Sequence, residues 1–551
     1  MKQIFRKTVI IFVLLSMLFV IPACGGSGSD KIAVSDLGKY TIVYPAEYQD
    51  WQMEEVALLQ NVIEHITGKK IAAVPDTEAE KSREIILASS SRQTAVTEQV
   101  NAFANDMDYI ITVSDGDLIL GGKSYYGDMK AIYDLVNNYL GYDDLENIYT
   151  DPLSEIADTK TEIYKEPIFT IMVANPGKYP FSSAKDVKVM AEAGFNMTKL
   201  DISKFTAESF YTYAKWCARF NVRILQKTVY NLKTKEFNIN DLEFSTTNPI
   251  IYGHYVRYEK ETNDFARYSE MCDIYKEKYA KYGWKLVMNL SGGEDATLFE
   301  EAYEDDSIFK NADIISASCG LGIGQSGYIR EFARLDMVNE FKKIASRNSN
   351  EFWMTVAEST GVIDSTIEKT PNAFRWKAYL ALSFGVTGVE YSLYKRGNVI
   401  NDDYTKGSRY DDIKQINEEL LQMAEVYTQY EQLGVYVVNP QYDDTFTEIE
   451  DQYTGFGNVL TEFIPAAGYD TTSYLIGCFK AKDSSDKYAF VAVDLTEVSE
   501  IKTVMPASMF ALNGEKVTQY KNGEPTELTI TKTGYYAASI SNGCGIFVTI
   551  E

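Results

Sequence analysis

Two glutamates, Glu259 and Glu358, each follow a run of residues with the character of a β-strand. Paired carboxylic acids that face each other across a cavity can cleave a glycosidic bond, because one protonates the leaving oxygen while the other attacks the sugar or activates water. The runs that they end are the fourth and seventh of a long strand–helix series over residues 167–434. The two glutamates are therefore the candidate catalytic residues of this chain.

The elements that must position these glutamates are eight strand-like runs separated by helix-like patterns. The strands are predicted at 169–173, 197–200, 222–228, 250–257, 285–289, 314–317, 352–357 and 388–392. The helices are predicted at 184–193, 207–220, 263–281, 298–303, 328–345, 373–384 and 412–433. An unbroken series of this length predicts a closed (β/α)8 TIM barrel, whose active site forms at the carboxyl ends of its strands. An open, doubly wound sheet is the alternative.

Alternation along a strand predicts which residues share a face with each glutamate, because successive side chains point to opposite sides. The residues that share the face of Glu259 are Gly253, Tyr255 and Arg257. Those that share the face of Glu358 are Phe352, Met354 and Val356. We expect both faces to point into the barrel, so that Arg257 lies one step below Glu259 and influences its ionisation.

Further polar and aromatic residues near the strand ends are candidates for binding a substrate. They are Tyr255, Arg257, Tyr258, Asn289, Trp353, Glu390 and Tyr394. The aromatic rings at 255, 353 and 394 could stack on a sugar, and packing in the core is the alternative reading of each. Glu390 is expected to line the cavity floor, where a buried carboxylate needs a cationic partner such as Lys227 or Arg257.

The barrel resembles the clan A glycoside hydrolases, whose acid/base follows strand four and whose nucleophile ends strand seven. Within that group it is similar to surface glycosidase-like proteins with a Gly-Tyr-Tyr-Leu-x-Asp-Glu-Pro segment, which here reads Gly253-His254-Tyr255-Val256-Arg257-Tyr258-Glu259-Lys260. Further matches are Met288-Asn289-Leu290, Arg375-Trp376 and Asn417-Glu418-Glu419. The resemblance implies that Glu259 is the general acid/base and Glu358 the nucleophile of a retaining mechanism.

Two positions depart from the pattern of that family. Clan A enzymes carry Asn immediately before the acid/base, where it holds the 2-hydroxyl of the substrate, and this chain has Tyr258 there. Lys260 replaces the proline that follows the glutamate in the related segment. These departures favour the alternative function, a surface glycan-binding protein whose barrel has lost catalysis.

The chain on either side of the barrel predicts two further domains. Residues 38–145 read as a small α/β domain, and the stretch from Tyr125-Gly127-Met129 to Leu140-Gly141 resembles the end of the non-catalytic domain before the barrel in alpha-glucuronidases and family 20 hexosaminidases. Residues 146–166 are acidic, lack periodicity and read as a linker. Residues 435–551 alternate apolar and polar positions between turn signals, which predicts a β-sandwich.

The first residues read as a leader. Basic Lys2, Arg6 and Lys7 precede an apolar run, so residues 1–23 are predicted to be a signal peptide. Ile21-Pro22-Ala23-Cys24 resembles the lipobox of bacterial lipoproteins, which implies cleavage before Cys24 and a lipid on its sulfur. Residues 24–37 then form a tether, and the protein is expected to be lipid-anchored on the extracellular face of the membrane. An ordinary secretory signal is the alternative.

Charge and composition exclude several classes of function. The chain has 53 basic and 79 acidic residues, a net charge of −26, which disfavours nucleic acid as a partner. Its only histidines are His65 and His254, too few for a multi-histidine zinc site. Residues 322–327 match a dinucleotide fingerprint but form the sixth loop of a longer strand–helix series, so no nucleotide cofactor is predicted. No other cofactor and no metal site are predicted either. A carbohydrate is the expected partner, and the oligomeric state is left open.

Overall fold

The structure is a computed structural model. It describes residues 31–173, 183–201, 205–228, 230–231, 233–237, 249–257, 265–291, 309–318, 333–357, 371–391, 399–401, 405–438, 460–465, 474–483, 485, 487–494, 507–512, 516–530, 536–539 and 545–551. The predictions for Glu259, Glu358, Tyr258, Tyr394, Cys24, the leader and the fingerprint at 322–327 lie outside the described residues.

The amino-terminal domain is built on a six-stranded mixed sheet with the order β10-β5-β6-β4-β2-β3. The strands of this region are β1 (Ile32–Ala33), β2 (Thr41–Tyr44), β3 (Ala73–Pro75), β4 (Glu84–Leu87), β5 (Tyr109–Ser114), β6 (Asp117–Gly121), β7 (Tyr142–Asp143), β8 (Ile148–Tyr149), β9 (Glu155–Ile156) and β10 (Lys160–Glu162). Its helices are α1 (Met53–Thr67), α2 (Thr97–Asn101) and α3 (Tyr125–Asp134), and a π-helical turn, Leu135–Tyr139, continues α3.

Segments outside the predicted boundaries of this domain, 38–145, form strands that pair with each other or with its main sheet. β1 pairs antiparallel with β9, and β10 pairs antiparallel with β5 at the edge of the main sheet. The predicted tether and the predicted linker therefore contribute strands to the amino-terminal domain. These strands are two or three residues long, which is too short to show an alternation in the sequence.

Eight parallel strands close into a barrel, as predicted. In ring order they are β11 (Thr170–Val173), β12 (Met197–Leu200), β13 (Arg223–Lys227), β16 (Ile251–Arg257), β17 (Lys285–Ser291), β18 (Ile314–Ser318), β19 (Glu351–Ala357) and β20 (Gly388–Tyr391). A small hairpin, β14 (Tyr230–Asn231) and β15 (Glu236–Phe237), follows the third barrel strand. The described helices of the barrel are α4 (Ala184–Glu192), α5 (Ala207–Arg219), α6 (Phe265–Tyr279), α7 (Ala333–Arg347), α8 (Pro371–Ser383) and α9 (Tyr410–Tyr427).

The buried side chains of the barrel strands form two separate clusters. The larger one lies between the strands and the helices, and it includes Ile224, Val256 and Leu286. The smaller one fills the inside of the barrel, with Tyr252 packed against it, and its members are Met172, Met197, Leu225, Tyr255, Val287, Ile314 and Trp353. This division identifies the inward face of the seven strands that contribute to the inner cluster.

The carboxyl-terminal region is rich in sheet. Its strands are β21 (Tyr430–Val438), β22 (Leu460–Pro465), β23 (Tyr474–Ala481), β24 (Tyr488–Asp494), β25 (Ala507–Leu512), β26 (Val517–Lys521), β27 (Glu524–Leu528), β28 (Tyr536–Ser539) and β29 (Gly545–Ile550). They form a six-stranded sheet, β21-β23-β24-β29-β26-β27, and a three-stranded sheet, β22-β25-β28. All pairs are antiparallel. The face-to-face arrangement of a β-sandwich stays a prediction.

The six-stranded sheet packs directly on α8, the helix that precedes the last barrel strand. A Cβ atom on Gly477 would come within 2.1 Å of the backbone oxygen of Ser383, and one on Gly545 within 2.5 Å of Tyr379. Glycine is therefore required where sheet and helix touch. The predicted last helix is shorter than expected, because it ends at Tyr427 and the chain enters the sheet at Tyr430. In the described part of the chain, no helix is both long and apolar enough to cross a membrane.

Candidate active site

The inside of the barrel changes from apolar to polar toward the carboxyl ends of its strands. On five strands, the inward residue two positions beyond the apolar one is polar or charged. The pairs, apolar residue first, are Met197 and Lys199, Leu225 and Lys227, Val287 and Asn289, Ile314 and Ser316, and Trp353 and Thr355. Active sites of this fold form on that side of the barrel.

A buried ion pair lies at the boundary between the apolar and the polar part of the barrel interior. Lys199 Nζ is 2.9 Å from Glu390 Oε1, and the two side chains are 10% and 4% exposed. The pair joins strands on opposite sides of β11, since Met172 is in register with both Met197 and Glu390. A buried carboxylate of this kind is tolerated because its charge is balanced and its oxygens are bonded.

The ion pair continues into a hydrogen-bond network. Ser316 Oγ donates to Glu390 Oε2 at 3.4 Å, and Asn289 Nδ2 donates to Ser316 O and Oγ, both at 3.3 Å. Two residues further along β18, toward the mouth of the barrel, the hydroxyl oxygens of Ser318 and Thr355 are 3.3 Å apart. Asn289 and Glu390, both predicted site residues, are thus brought together through Ser316, and both are buried.

The cationic partner of Glu390 in the described structure is Lys199, a residue that was not among the predicted partners. Lys227 was one expected partner, but its side chain is exposed, and the charge comes from Lys199 instead. The signal for Lys199 was present in the alternation of the second strand, where Met197 and Lys199 share the inward face. The sequence alone does not show which residues of different strands lie at the same level along the barrel axis.

Two predicted stacking platforms are core residues. Tyr255 is 4% exposed. Lys199 Nζ lies 3.8 Å from the centre of the Tyr255 ring and covers one face of that ring. Trp353 is 1% exposed and stacks on Tyr252 with 6.0 Å between ring centroids. Both rings are therefore buried in this structure, and stacking on a substrate stays a prediction. Both fill the barrel beneath its mouth.

The fourth strand has the predicted orientation. Tyr255 belongs to the inner cluster, and Gly253 lies in the same alternation. The backbone of Arg257 is in register with that of Asn289 on the next strand, at the polar level of the barrel. The strand then ends at Arg257, two residues before Glu259.

The seventh strand has the opposite orientation to the one predicted. Phe352, Met354 and Val356 belong to the outer cluster, and Trp353 to the inner one. Both faces of this strand are apolar, as is usual in a parallel sheet buried on both sides, so the sequence could not distinguish them. A bulge interrupts the register near the strand end, where Thr355 pairs with Glu390 but Ala357 pairs with Tyr391. The alternation of the strand is therefore displaced by one residue before Glu358.

His254 serves packing rather than catalysis. It points outward from the fourth strand, and its Nδ1 lies 2.8 Å from the hydroxyl of Tyr275 on α6. Burial lowers the pKa of His254 to about 3, since an imidazolium would be poorly solvated there. Within the described ranges, no three His, Cys, Asp or Glu side chains gather as a metal site would require.

No protein-family model matches this chain, and no curated protein matches it by sequence. Its structural neighbours include glycoside hydrolases of several families. A family 39 glycoside hydrolase from Bacteroides cellulosilyticus WH2 is 12% identical, with 74% of this chain and 86% of that chain covered and a TM-score of 0.39. A family 51 α-L-arabinofuranosidase from Bifidobacterium longum is 10% identical (70% and 96% covered, TM-score 0.36).

The family 20 β-N-acetylhexosaminidase of Streptomyces coelicolor A3(2) is another neighbour. It is 9% identical, with 73% of this chain and 93% of that chain covered and a TM-score of 0.32. An archaeal fructose 1,6-bisphosphate aldolase also matches, so the likeness extends to enzymes of other reactions. At these identities and scores, the neighbours share a barrel with this chain, and the function has to be argued from the chain's own residues.

Proposed function

We propose that this protein is a glycoside hydrolase in which Glu259 is the general acid/base and Glu358 the nucleophile. One observation carries the proposal: the fourth and seventh strands of a closed barrel end at Arg257 and Ala357, on the side where the inside of the barrel becomes polar. The two glutamates follow these ends by two residues and by one residue.

The local strand geometry supports an inward direction for both carboxylates. In the sequence, Glu259 continues the alternation of Tyr255, which belongs to the inner cluster. Glu358 follows a bulge that displaces the alternation by one residue, which changes the side to which the next residue is directed. Bulges near strand ends commonly re-aim a side chain at an active site. On this basis we propose that both carboxylates face one cavity.

The third carboxylate of the site, Glu390, has a different role. It is buried and bonded to Lys199 and Ser316, so it is not available to attack a sugar or to exchange protons with a leaving group. The pair forms a rigid, charge-balanced floor beneath the two catalytic residues. Positioning of this kind is what a two-carboxylate mechanism needs, because the acid/base and the nucleophile must keep a fixed separation.

The proposed reaction has two steps. Glu358 attacks the anomeric carbon while Glu259 gives its proton to the glycosidic oxygen, so the bond to the leaving group breaks and a glycosyl ester forms. Glu259 then takes a proton from water, the water oxygen attacks the anomeric carbon, and Glu358 is released. The sum is addition of one water across one glycosidic bond, with retention of configuration.

The location proposed for this enzyme is the outer face of the bacterial membrane, with a lipid on Cys24 as the anchor. This rests on the resemblance of residues 21–24 to a lipobox and on the basic and apolar residues before it. An extracellular oligosaccharide or polysaccharide is then the substrate that such an enzyme meets.

The test is hydrolysis of a broad panel of glycans and aryl glycosides by the full-length chain and by Glu259→Gln and Glu358→Gln. A matched control is Glu351→Gln, because Glu351 begins the same seventh strand at the opposite end of the barrel. The proposal predicts turnover in the wild type and the control and its loss in both variants. Turnover that survives both substitutions would refute the site. Glycan binding without any turnover would instead identify a binding protein.

A further inference from the structure

A cavity of about 500 Å³ lies between the amino-terminal domain and the barrel. The wall from the amino-terminal domain includes Tyr109, Lys130, Asn137 and Asn138, and the wall from the barrel includes Lys188 and Arg219. None of these residues belongs to a barrel strand. The cavity is therefore distinct from the proposed catalytic site at the barrel mouth, and its volume is in the range of small-molecule sites.

The walls of this interdomain cavity are held in place by contacts between the two domains. Arg219 binds Asp144 through two hydrogen bonds of 2.7 and 2.6 Å, and its guanidinium carbon lies 3.7 Å from the centre of the Tyr133 ring. Such a bidentate pair fixes both distance and orientation. The cavity is consequently preformed, and a ligand would not have to bring its walls together.

Lys130 presents a cation to this cavity. Its Nζ donates to Asn221 Oδ1 at 2.7 Å and lies 5.9 and 6.0 Å from the ring centres of Tyr109 and Tyr164. Other cations of the lining are already paired with carboxylates in the described structure. Lys160 pairs with Asp134 at 2.6 Å, and Arg219 pairs with Asp144. These contacts of Lys130 are to an amide and to aromatic rings, which leaves donor capacity for an anion.

The helix beneath the cavity has an unusual local geometry. In the π-helical turn Leu135–Tyr139, the backbone N–H of Leu140 donates to Leu135 O at 2.9 Å, one residue further than in an α-helix. Asn137 and Asn138 lie on this turn, and each uses its Nδ2 on the protein, toward Tyr133 O and Asp134 Oδ1. Single π-turns within helices occur frequently at functional sites.

We propose that the interdomain cavity binds an acidic saccharide, whose carboxylate pairs with Lys130 and whose hydroxyl groups bond to the side-chain amides of Asn137 and Asn138. Four cations and two anions line the cavity, namely Lys130, Lys160, Lys188 and Arg219 against Asp134 and Asp143. Lys160, Lys188 and Arg219 each pair with a carboxylate, so the cation that the cavity offers to an anion is Lys130. The site goes beyond hydrolysis at the barrel and does not depend on it.

The affinity for an acidic sugar should fall as the pH rises above about 8. Burial lowers the pKa of Lys130 to about 8, while Glu162 and Asp108 act in the opposite direction. The phenols of Tyr109 and Tyr133 stay neutral, because burial raises the pKa of each. The remaining charged groups that face the cavity are Asp134, Asp143, Lys160, Lys188 and Arg219. Above pH 8 the ammonium of Lys130 is lost, and with it the pairing to the ligand carboxylate.

The test is calorimetric titration of the full-length chain with D-glucuronate, beside glucose and acetate. We expect glucuronate to bind more tightly than either, and Lys130→Met to weaken it by at least about tenfold, the effect of roughly one charged hydrogen bond. Lys123→Met is the control, since Lys123 lies in the same domain, does not line the cavity and bonds to Phe103 O. Equal binding by Lys130→Met, or no binding by the wild type, would overturn the proposal.

Two further variants separate this site from the barrel and from loss of folding. Asn138→Leu changes an exposed residue of the cavity wall, so it should fold as the wild type does and still weaken glucuronate binding. Glu259→Gln should leave glucuronate binding unchanged, whether or not the barrel is catalytic. If Glu259→Gln abolishes the binding and Asn138→Leu does not, the sugar occupies the barrel and the interdomain site is refuted.

Discussion

Lys199 and Glu390 lie 191 residues apart in the chain and form an ion pair of 2.9 Å inside the barrel. Lys199 also covers the ring of Tyr255, while Glu390 accepts a hydrogen bond from Ser316. The pair thus ties the second and eighth strands to the fourth and sixth. It forms a polar layer on the side of the barrel where the fourth and seventh strands end.

Breaking this pair on one side should destabilise the protein strongly. Lys199→Met leaves the carboxylate of Glu390 buried without its counter-charge, and we expect a loss of about 3–5 kcal/mol in the free energy of unfolding. The double variant Lys199→Met/Glu390→Met removes both charges and should recover much of that loss. Urea titrations of the two single variants and the double variant measure the coupling. Losses that simply add would show that the two residues do not depend on each other.

His254 should make the protein sensitive to acid. In the unfolded chain its pKa is near 6.5, and in the fold it is about 3, so only the unfolded state takes up a proton in between. The stability contributed by a neutral His254 is complete above pH 6.5 and is lost as the pH falls toward 3. Between pH 7 and pH 4.5 we expect a loss of about 2–3 kcal/mol from this group.

The control for this pH dependence is the other histidine of the chain. His65 is exposed, and His65→Gln controls for the replacement of a histidine as such. His254→Gln should flatten the pH dependence of the free energy of unfolding between pH 6.5 and pH 4.5. If the free energy of unfolding of His254→Gln falls with pH as steeply as that of the wild type, the acid sensitivity comes from carboxylates instead.

Gly388 should not tolerate a side chain. A Cβ atom there would lie 2.8 Å from Trp353 Nε1 and 2.9 Å from the Cβ of Thr170, both inside the barrel. We expect Gly388→Ala to cost about 1–3 kcal/mol through overpacking, seen in urea unfolding and in the near-ultraviolet signal of tryptophan. Trp353→Phe in the same chain should relieve part of that cost. An unchanged stability in Gly388→Ala would mean that the indole can move aside freely.

The lipid anchor gives a prediction at the level of the cell. Cys24→Ser removes the thiol that would carry the lipid, so the variant should move from the membrane fraction to the soluble fraction of a bacterial host. Cys217→Ser is the matched control, because Cys217 is buried in the core on α5. A Cys24→Ser variant that still sediments with membranes would contradict the anchor.

The alternation of strand-like and helix-like patterns was sufficient to predict the barrel, because each buried strand is an apolar run between polar segments. The second strand has the predicted bounds of 197 and 200, and the fourth and seventh end at the predicted residues 257 and 357. Helix bounds were less accurate, since the strand that begins at Tyr430 was read as the end of a helix. Local pattern alone does not distinguish a helix end from a strand that pairs far away in the chain.

The side chains inside the barrel were harder to predict than its elements. That Lys199 meets Glu390 depends on the stagger of eight strands, which no local pattern encodes. The bulge between Thr355 and Ala357 likewise reverses the faces of the seventh strand. Trp353 and Tyr255 read as sugar platforms because the sequence does not show how deep in the barrel a strand residue lies.

The central claim is that Glu259 and Glu358 together cleave a glycosidic bond with retention. The most direct measurement is nuclear magnetic resonance of the first sugar that the wild type releases, on the substrate found in the panel, beside the rates of the two variants. We predict the starting anomeric configuration in that product, a loss of about 10²–10⁴-fold in Glu259→Gln and a larger loss in Glu358→Gln. Inversion of configuration, or wild-type rates in either variant, would contradict the account.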